Sequence, residues 1–285
     1  MRSADHFRAV RTALGAFMWD GRDAITTALF VLGLEFTFYK KGKRMDLLFI
    51  RHGEPGEDGS LTEIGKREAQ LLTERLARLD VLEYNVSPLT RARETAEPVL
   101  KKLGRTGIER PWLREFDIPV ARPDLQGMSF VPWDWLPQDW LEDTRLRSTE
   151  HWTENEVFRD AGVGTAYDDV ICSFDALLGE HGYERDGNFY RVRRGNEDTL
   201  AFICHFGLIC VLLSHLLNCA PMVLWQGLAL PPSSVTTLHT EERRPGIAVF
   251  RAASVGDISH LYAAGVEPSF AGRFCTMYGN GQRVD

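Results

Sequence analysis

The chain has 285 residues and a net charge of −7 at neutral pH, with 44% hydrophobic and 26% charged residues. This hydrophobic fraction is enough for a substantial buried core, in one large domain or two small ones. The only basic block is Lys40–Arg44, and proteins that bind nucleic acid normally present a basic face, so the composition argues against that partner. Local basic clusters in an acidic protein are nevertheless compatible with a small anionic substrate.

The five cysteines are sparse, odd in number and never spaced as Cys-X-X-Cys. A disulfide framework or a zinc site would show paired spacings. We therefore expect reduced thiols in a cytoplasmic protein.

Residues 1–44 are interpreted as an N-terminal extension that precedes a folded domain over residues 45–285. The apolar segment Ala24–Tyr39 is interrupted by Glu35 and is shorter than the ~20 residues that a membrane-spanning helix needs. It also lacks the small-residue cleavage site of a signal peptide, so no membrane association is predicted. A second hypothesis is that translation starts at Met45 and that the extension is not native.

Strand and helix patterns alternate from the start of this domain. The apolar run Asp46–Ile50 predicts a buried strand, and a loop rich in Gly and Pro follows it. Apolar residues three to four positions apart predict an amphipathic helix over Leu61–Leu79, capped by Ser60 or Thr62. The later predicted elements are, in chain order, a strand over Val81–Val86, a helix with Ser87 as N-cap and Gly104 as its stop, a strand over Thr106–Leu113, a helix over Tyr167–His181, a hairpin turning at Asp186–Gly187, a buried strand from Thr199, an apolar helix over Leu208–Asn218, and two strands joined near Pro245–Gly246.

This alternation is typical of βαβ units, so we expect a three-layer α/β/α sandwich with a mostly parallel sheet. The alternation lapses between Ile118 and Gly164, a stretch that holds four of the seven tryptophans. We interpret residues 118–164 as a Trp-rich insertion in the domain and not as a separate domain.

Two histidines end predicted strands, in Arg51-His52-Gly53 and in His205-Phe206-Gly207. The carboxyl ends of parallel strands meet at one edge of an open sheet, so both imidazoles and Arg51 are expected to converge on a crevice there. Glycine after each histidine is expected to let the backbone approach a ligand closely. Arg91, one turn into the helix that starts at Ser87, is expected at the same edge, where free amides favour anions. Arg93 points elsewhere on that helix, and a surface ion pair is expected for it.

Four motifs carry a family resemblance. In order, "LFIRHGEP", "SPLTRARETA", "LREFD" and "ICHFG" resemble the motifs of the histidine phosphatase superfamily, also called phosphoglycerate mutase-like, over about residues 45–251. The resemblance implies a phosphoglycerate mutase-like fold and a phosphomonoester hydrolase that uses no metal and no cofactor.

The resemblance also implies roles for particular residues. It implies that His52 is the nucleophile that forms a phosphohistidine. The residues that it implies for binding the phosphoryl oxygens are Arg51, Arg91 and His205. It implies Glu115 as the acid that protonates the leaving oxygen, and two nearby carboxylates stay open as alternatives, Asp117 and Glu54.

The expected function is hydrolysis of a small phosphorylated metabolite. A phosphoglycerate mutase-type phosphomutase is an alternative, weakened because Glu54–Gly65 lacks the Trp-Asn pair usual in glycolytic mutases. A non-catalytic phosphate-binding or interaction module is another, weakened because all five site residues are present. Neither a nucleic acid nor a membrane is expected as a partner, and a homodimer is compatible with the sequence.

Overall fold

The computed structural model of the chain describes residues 44–122, 124 and 127–269. The predicted extension over residues 1–44 lies outside this part apart from its last residue. The hypothesis that translation starts at Met45 therefore stays a prediction.

Strands and helices alternate through the described residues, with three single 3-10 turns between them. The strands are β1 (Asp46–Arg51), β2 (Glu83–Val86), β3 (Ile108–Glu109), β4 (Val120–Ala121), β5 (Ser129–Phe130), β6 (Tyr183–Asp186), β7 (Phe189–Val192), β8 (Thr199–Cys204), β9 (Val235–Arg244) and β10 (Ile247–Asp257). The helices are α1 (Glu63–Leu76), α2 (Thr90–Leu103), α3 (Pro137–Glu142), α4 (Glu156–Asp160), α5 (Val163–Glu180), α6 (Phe206–Leu217), α7 (Pro221–Gly227) and α8 (Ser259–Ala263). The 3-10 turns are Pro111–Leu113, Thr144–Arg147 and Trp152–Glu154.

The main sheet has eight strands in the order β3-β2-β8-β1-β9-β10-β7-β6. Strands β3, β2, β8 and β1 are parallel, and the other four pair antiparallel. The α/β class is confirmed, but the sheet is mixed, with its parallel strands gathered in one half. The antiparallel half arises because β6–β7 and β9–β10 are hairpins, turning at Gly187 (φ 58°) and Gly246 (φ 83°), and a tight turn joins only antiparallel strands.

Both faces of the sheet are covered, because the side chains of β1 alternate between two cores. Leu47 and Phe49 join a core that includes Phe174 of α5. Leu48 and Ile50 join a second core with residues of α1 and α2. Each fully buried side chain of this size contributes about 1.5–3 kcal/mol relative to an exposed one. The apolar run of β1 is therefore the centre of the three layers.

The register of the parallel strands brings three chain segments to one edge. Arg51 is paired with Cys204, and Val86 is paired with Ile203. The residues that follow these three strands, His52, His205 and Ser87, therefore leave the sheet side by side.

Helix α2 starts later than its sequence pattern predicts. It begins at Thr90, and its N-cap is Leu89, which makes no side-chain capping bond. The prediction of Ser87 as N-cap is wrong, because the helix begins three residues later; the Ser87 hydroxyl accepts from the Leu89 amide at 3.3 Å, ahead of the helix, and contacts His205. The predicted stop is confirmed, since Gly104 has a left-handed φ of 61°. Helix α1 is capped as predicted by Thr62, whose hydroxyl accepts from the Gly65 amide at 3.0 Å.

Residues 118–164 contain β4, β5, α3, α4 and two of the 3-10 turns. Trp135 and Trp152 are buried in the same core as β1 and α5. Arg122 is buried and forms ion pairs with Asp124 at 2.8 Å and Asp134 at 2.5 Å. Among the residues that the structure describes, none of the helices has both the length and the apolar character needed to cross a bilayer.

Candidate active site

His52 directly follows β1 and is only 3% exposed. Its Nδ1 lies 2.7 Å from the Gly53 carbonyl oxygen. A carbonyl only accepts, so the ring proton sits on Nδ1 and Nε2 carries a free lone pair. Arg91 Nε donates to this Nε2 at 3.1 Å. The unprotonated Nε2 therefore faces the positive charge of Arg91. A nucleophile that attacks an anionic group needs such a charge beside it, because the charge attracts the group.

The imidazole of His52 is held neutral. Burial and the charge of Arg51, with a smaller contribution from Arg91, lower its pKa to about 3. The hydrogen bond to Gly53 raises the pKa and so opposes part of this shift. At neutral pH the ring is unprotonated at Nε2 and does not need an external base to become a nucleophile.

His205 lies beside His52, with ring centroids 5.0 Å apart at an angle of 54°. It is fully buried, and its Nε2 is 2.7 Å from the Ser87 hydroxyl oxygen. Burial, then the neighbouring His52 and Arg91, lower its pKa. Its Nδ1 has no hydrogen-bond partner in the described part of the chain. A buried ring nitrogen without a partner is uncommon, and a ligand or water bound there would satisfy it.

Arg51 ends β1 and is buried, and one of its terminal nitrogens donates to the Leu230 carbonyl. Its guanidinium carbon lies 5.9 Å from the centre of the Phe206 ring. Its Nε has no hydrogen-bond partner among the described residues. The bond to Leu230 thus fixes the guanidinium of Arg51, while its Nε stays available to donate to a ligand.

The two arginines of α2 differ in environment. Arg91 is half-buried against His52. Arg93 is exposed, and its nearest acid is Glu109 at 3.9 Å. The structure therefore brings Arg91, and not Arg93, together with Arg51, His52 and His205.

Glu115 interacts electrostatically with both Arg51 and Arg91. Its Oε1 accepts from the amides of Phe116 at 2.9 Å and of Leu208, in the first turn of α6, at 3.1 Å. Burial raises the pKa of this carboxyl, while these amides and the charges of Arg51 and Arg91 oppose the rise. The carboxyl therefore keeps its proton to a higher pH than an ordinary glutamate, as a proton donor must.

The two alternative carboxylates have other surroundings. Asp117 is exposed. Glu54 accepts from the hydroxyls of Thr62 at 2.6 Å and Ser269 at 2.7 Å, which ties down the loop after β1. Glu115 is half-buried and interacts electrostatically with both Arg51 and Arg91, which favours it among the three carboxyls.

The two glycines near the histidines are explained by contacts within the protein. A Cβ on Gly53 would lie 2.7 Å from the Gly65 carbonyl oxygen in α1, and one on Gly207 would lie 2.2 Å from the ring of Trp133. Close approach of α1 on one side and of the Trp-rich insertion on the other accounts for both glycines, and the expectation that they also let the backbone approach a ligand stays a prediction.

Three supporting residues were not predicted for the site. Ser87 contacts His205, as described. Thr95 accepts from the Gly53 amide at 2.9 Å and donates to the Arg91 carbonyl at 2.7 Å. Glu68 is fully buried and accepts from the Glu54 amide at 2.7 Å. The four-residue spacing of Arg91 and Thr95 on one helix face was the available signal.

Over residues 44–122, 124 and 127–269, no group of three or more His, Cys, Asp or Glu side chains is placed to hold a metal ion. The cysteines in these residues are free thiols, at positions 172, 204, 210 and 219, and Cys275 lies outside them.

Known proteins resemble this chain in sequence and in fold. It is 28% identical over 227 residues to the serine/threonine-protein phosphatase Pgam5, mitochondrial, of Caenorhabditis briggsae. The matched residues cover 76% of this chain and 64% of that protein, so the chain spans less than two thirds of the length of that relative. A phosphoserine phosphatase mutant from Entamoeba histolytica in complex with phosphoserine has a TM-score of 0.50 at 18% identity, covering 76% of this chain and 99% of that one. A mycobacterial glucosyl-3-phosphoglycerate phosphatase has a TM-score of 0.46 at 22% identity, covering 73% and 97%.

The family model for the histidine phosphatase superfamily, branch 1, matches residues 47–252. This range includes His52, His205, Arg51, Arg91 and Glu115. The chain belongs to the histidine phosphatase superfamily.

Proposed function

We propose that this protein is a phosphomonoester hydrolase that acts through a phosphohistidine on His52. The observation that carries the proposal is the state of His52 Nε2, which is unprotonated and 3.1 Å from Arg91 Nε. Arg51 Nε and His205 Nδ1 have no hydrogen-bond partner among the described residues, which supports binding of the oxygens of one phosphoryl group beside His52. Phosphoryl transfer depends mainly on positioning and on stabilising negative charge, which these groups supply.

In the first step His52 Nε2 attacks phosphorus, so that a P–N bond forms as the P–O bond to the leaving group breaks. Glu115 donates its proton to the leaving oxygen, and the leaving group departs as a neutral alcohol. Arg51 and Arg91 neutralise the charge on the three non-bridging oxygens. The planar fork of each guanidinium matches the geometry of a phosphoryl group.

In the second step a water molecule attacks the phosphohistidine. Glu115, now a carboxylate, takes a proton from this water, the P–N bond breaks, and inorganic phosphate leaves. Both steps use the charge of the two guanidiniums, so we propose a reaction that requires no metal ion and no cofactor.

The proposed substrate is a small phosphorylated metabolite. The insertion supports this, because Trp133 packs on Gly207 and edge-on against Phe206, which itself lies next to Arg51. Through these contacts the insertion packs beside Arg51, one of the residues proposed to bind the phosphoryl group. A phosphoprotein substrate is a second candidate, since the matching Pgam5 of C. briggsae is named as a serine/threonine-protein phosphatase. The phosphomutase and the non-catalytic module are the further alternatives.

The test is hydrolysis of 4-nitrophenyl phosphate by the wild type and by His52→Ala, in the presence and absence of EDTA. The substitution is expected to cost at least about a thousandfold in kcat, because it removes the nucleophile. The matched control is His151→Ala, since His151 is exposed and pairs only with nearby acids. Equal rates for His52→Ala and the wild type would contradict the proposal, and loss of wild-type activity in EDTA would contradict its independence of metal.

A substrate panel separates the remaining alternatives. Phosphate release from small phosphomonoesters is expected to exceed release from a phosphoserine peptide in kcat/KM. The opposite order would favour the protein phosphatase. Transfer of the phosphoryl group to a second hydroxyl of the substrate, without phosphate release, would favour the mutase, and binding of phosphate without turnover would favour the module.

A further inference from the structure

Arg114 directly precedes Glu115 on a short segment that is anchored on both sides. Leu113 before it is fully buried, and Phe116 after it is buried and stacks on Trp225, with ring centroids 5.7 Å apart. Glu115, directly after it, is held by the Leu208 amide at the start of α6. The backbone at Arg114 is therefore fixed next to the proton donor of the proposed reaction.

The side chain of Arg114 has no partner among the residues that the structure describes. It is exposed, and no hydrogen bond, ion pair or ring contact engages its guanidinium within the described chain. Its neighbour Arg110 by contrast donates to Asn85 at 2.8 Å and lies 3.6 Å from Glu83. The guanidinium of Arg114 is thus available to a ligand.

The charge of Arg114 reaches the site. It contributes to lowering the pKa of Arg91 and that of His205, two of the groups proposed to bind the phosphoryl oxygens. Arg114 therefore adds a third arginine charge to the field of Arg51 and Arg91. Arg91 contacts His52 and Arg51 contacts the Leu230 carbonyl, whereas Arg114 is the exposed one of the three.

We infer that Arg114 binds a second anionic group of the substrate, a carboxylate or a second phosphate, while the transferred phosphoryl group lies against His52. This inference rests on the proposed function and narrows its substrate class to phosphomonoesters with a further negative charge. Arginine suits the role, because its planar fork donates two parallel hydrogen bonds to a carboxylate or a phosphate. Its exposure limits the gain, so we expect an effect of roughly 3- to 10-fold in KM.

The test compares three substrates that differ in the second group. Glycerol 3-phosphate has a hydroxyl there, glycerate 3-phosphate a carboxylate, and glycerate 2,3-bisphosphate adds a second phosphate. Phosphate release is measured for the wild type and Arg114→Gln, with Arg93→Gln as matched control because Arg93 is exposed and lies on α2 away from the site. 4-Nitrophenyl phosphate reports the basal activity.

The wild type is expected to have a lower KM for at least one of the two doubly charged substrates than for glycerol 3-phosphate. Arg114→Gln is expected to abolish this preference, measured as the ratio of kcat/KM on each doubly charged substrate to kcat/KM on 4-nitrophenyl phosphate, and Arg114→Glu is expected to reverse it. The substrate whose preference is lost identifies the second group as carboxylate or phosphate.

Unchanged preference in Arg114→Gln, or an equal loss on all substrates including 4-nitrophenyl phosphate, would overturn the inference and leave the proposed function standing. A wild type that hydrolyses no phosphomonoester would overturn the proposed function itself, and this inference with it.

Discussion

Replacing Gly207 with alanine is expected to push the Trp-rich insertion away from helix α6. A Cβ on Gly207 would lie 2.2 Å from Trp133 Cζ3 and 2.6 Å from Cε3. Carbon atoms in contact are about 3.5 Å apart, so the ring has to shift by roughly 1 Å or more. The ring is not free to do so, because the Trp133 carbonyl accepts from Gln226 at 2.6 Å and the ring packs edge-on against Phe206 at 6.1 Å.

The magnitude follows from two opposing effects. Overpacking of a well-packed contact costs about 1–3 kcal/mol. Alanine in a helix is favoured over glycine by up to about 1 kcal/mol, which offsets part of this cost. We therefore expect Gly207→Ala to lower the free energy of unfolding by about 1–2 kcal/mol. For a domain of this size the melting temperature falls by about 2–8 °C.

The assay is thermal unfolding of Gly207→Ala, Trp133→Ala and the double variant. With Trp133 removed, the added methyl group has room, so the alanine is expected to become neutral or stabilising. Gly179→Ala is the matched control, since Gly179 lies in α5 and an added Cβ there meets nothing within 4 Å. A rise in melting temperature for Gly207→Ala alone would contradict the expected clash with Trp133. Additive effects of the two substitutions would contradict it too, because residues in contact are expected to couple.

Three further predictions concern the chemistry. Arg91→Gln is expected to lower kcat/KM for 4-nitrophenyl phosphate by about 10²–10³-fold, because its Nε contacts the nucleophile, whereas Arg93→Gln is expected to change it by less than about twofold. Glu115→Gln is expected to slow alkyl phosphates by about 10²–10⁴-fold and 4-nitrophenyl phosphate far less, because nitrophenolate leaves without a proton, and equal losses would contradict its role as donor. In wild-type pH profiles, kcat/KM is expected to hold until the pH nears 3, where His52 gains a proton, and to fall as the pH rises through the raised pKa of Glu115. An acid limb near pH 6.5, the range of an unperturbed histidine, would contradict the burial of His52.

The parallel half of the sheet was predictable from sequence because short, contiguous segments of the chain indicate each of its strands and helices. Apolar runs that end in Arg51-His52 and in His205 indicate buried strands, and strands joined through helices are parallel. Their register then brings the two histidines together, with Arg51 opposite Cys204.

The antiparallel half was not predicted as part of the same sheet. Both hairpins were correctly placed, at Gly187 and Gly246, but a hairpin does not indicate which sheet it joins. β9 pairs with β1 and β10 with β7, across long distances in the chain. Such pairing depends on which edge is left open after the rest of the chain has packed.

The supporting contacts of the site needed coordinates. Ser87 has the residue type and position of an N-cap, and nothing local shows that its hydroxyl lies 2.7 Å from His205 instead. The contact of Trp133 with Gly207 joins residues 74 positions apart, and only the packed insertion reveals it. Arg114 was visible in the "LREFD" motif, but its lack of a partner is a property of the fold.

The central claim is that His52 carries the phosphoryl group during turnover. Its most direct test is rapid alkaline quenching of the wild type and of Glu115→Gln with labelled 4-nitrophenyl phosphate, followed by mapping of the labelled peptide. Glu115→Gln is expected to accumulate the intermediate, because loss of the base slows hydrolysis more than formation. We expect an acid-labile, alkali-stable label on His52. A label on any other residue, or turnover in both proteins without any labelled intermediate, would contradict it.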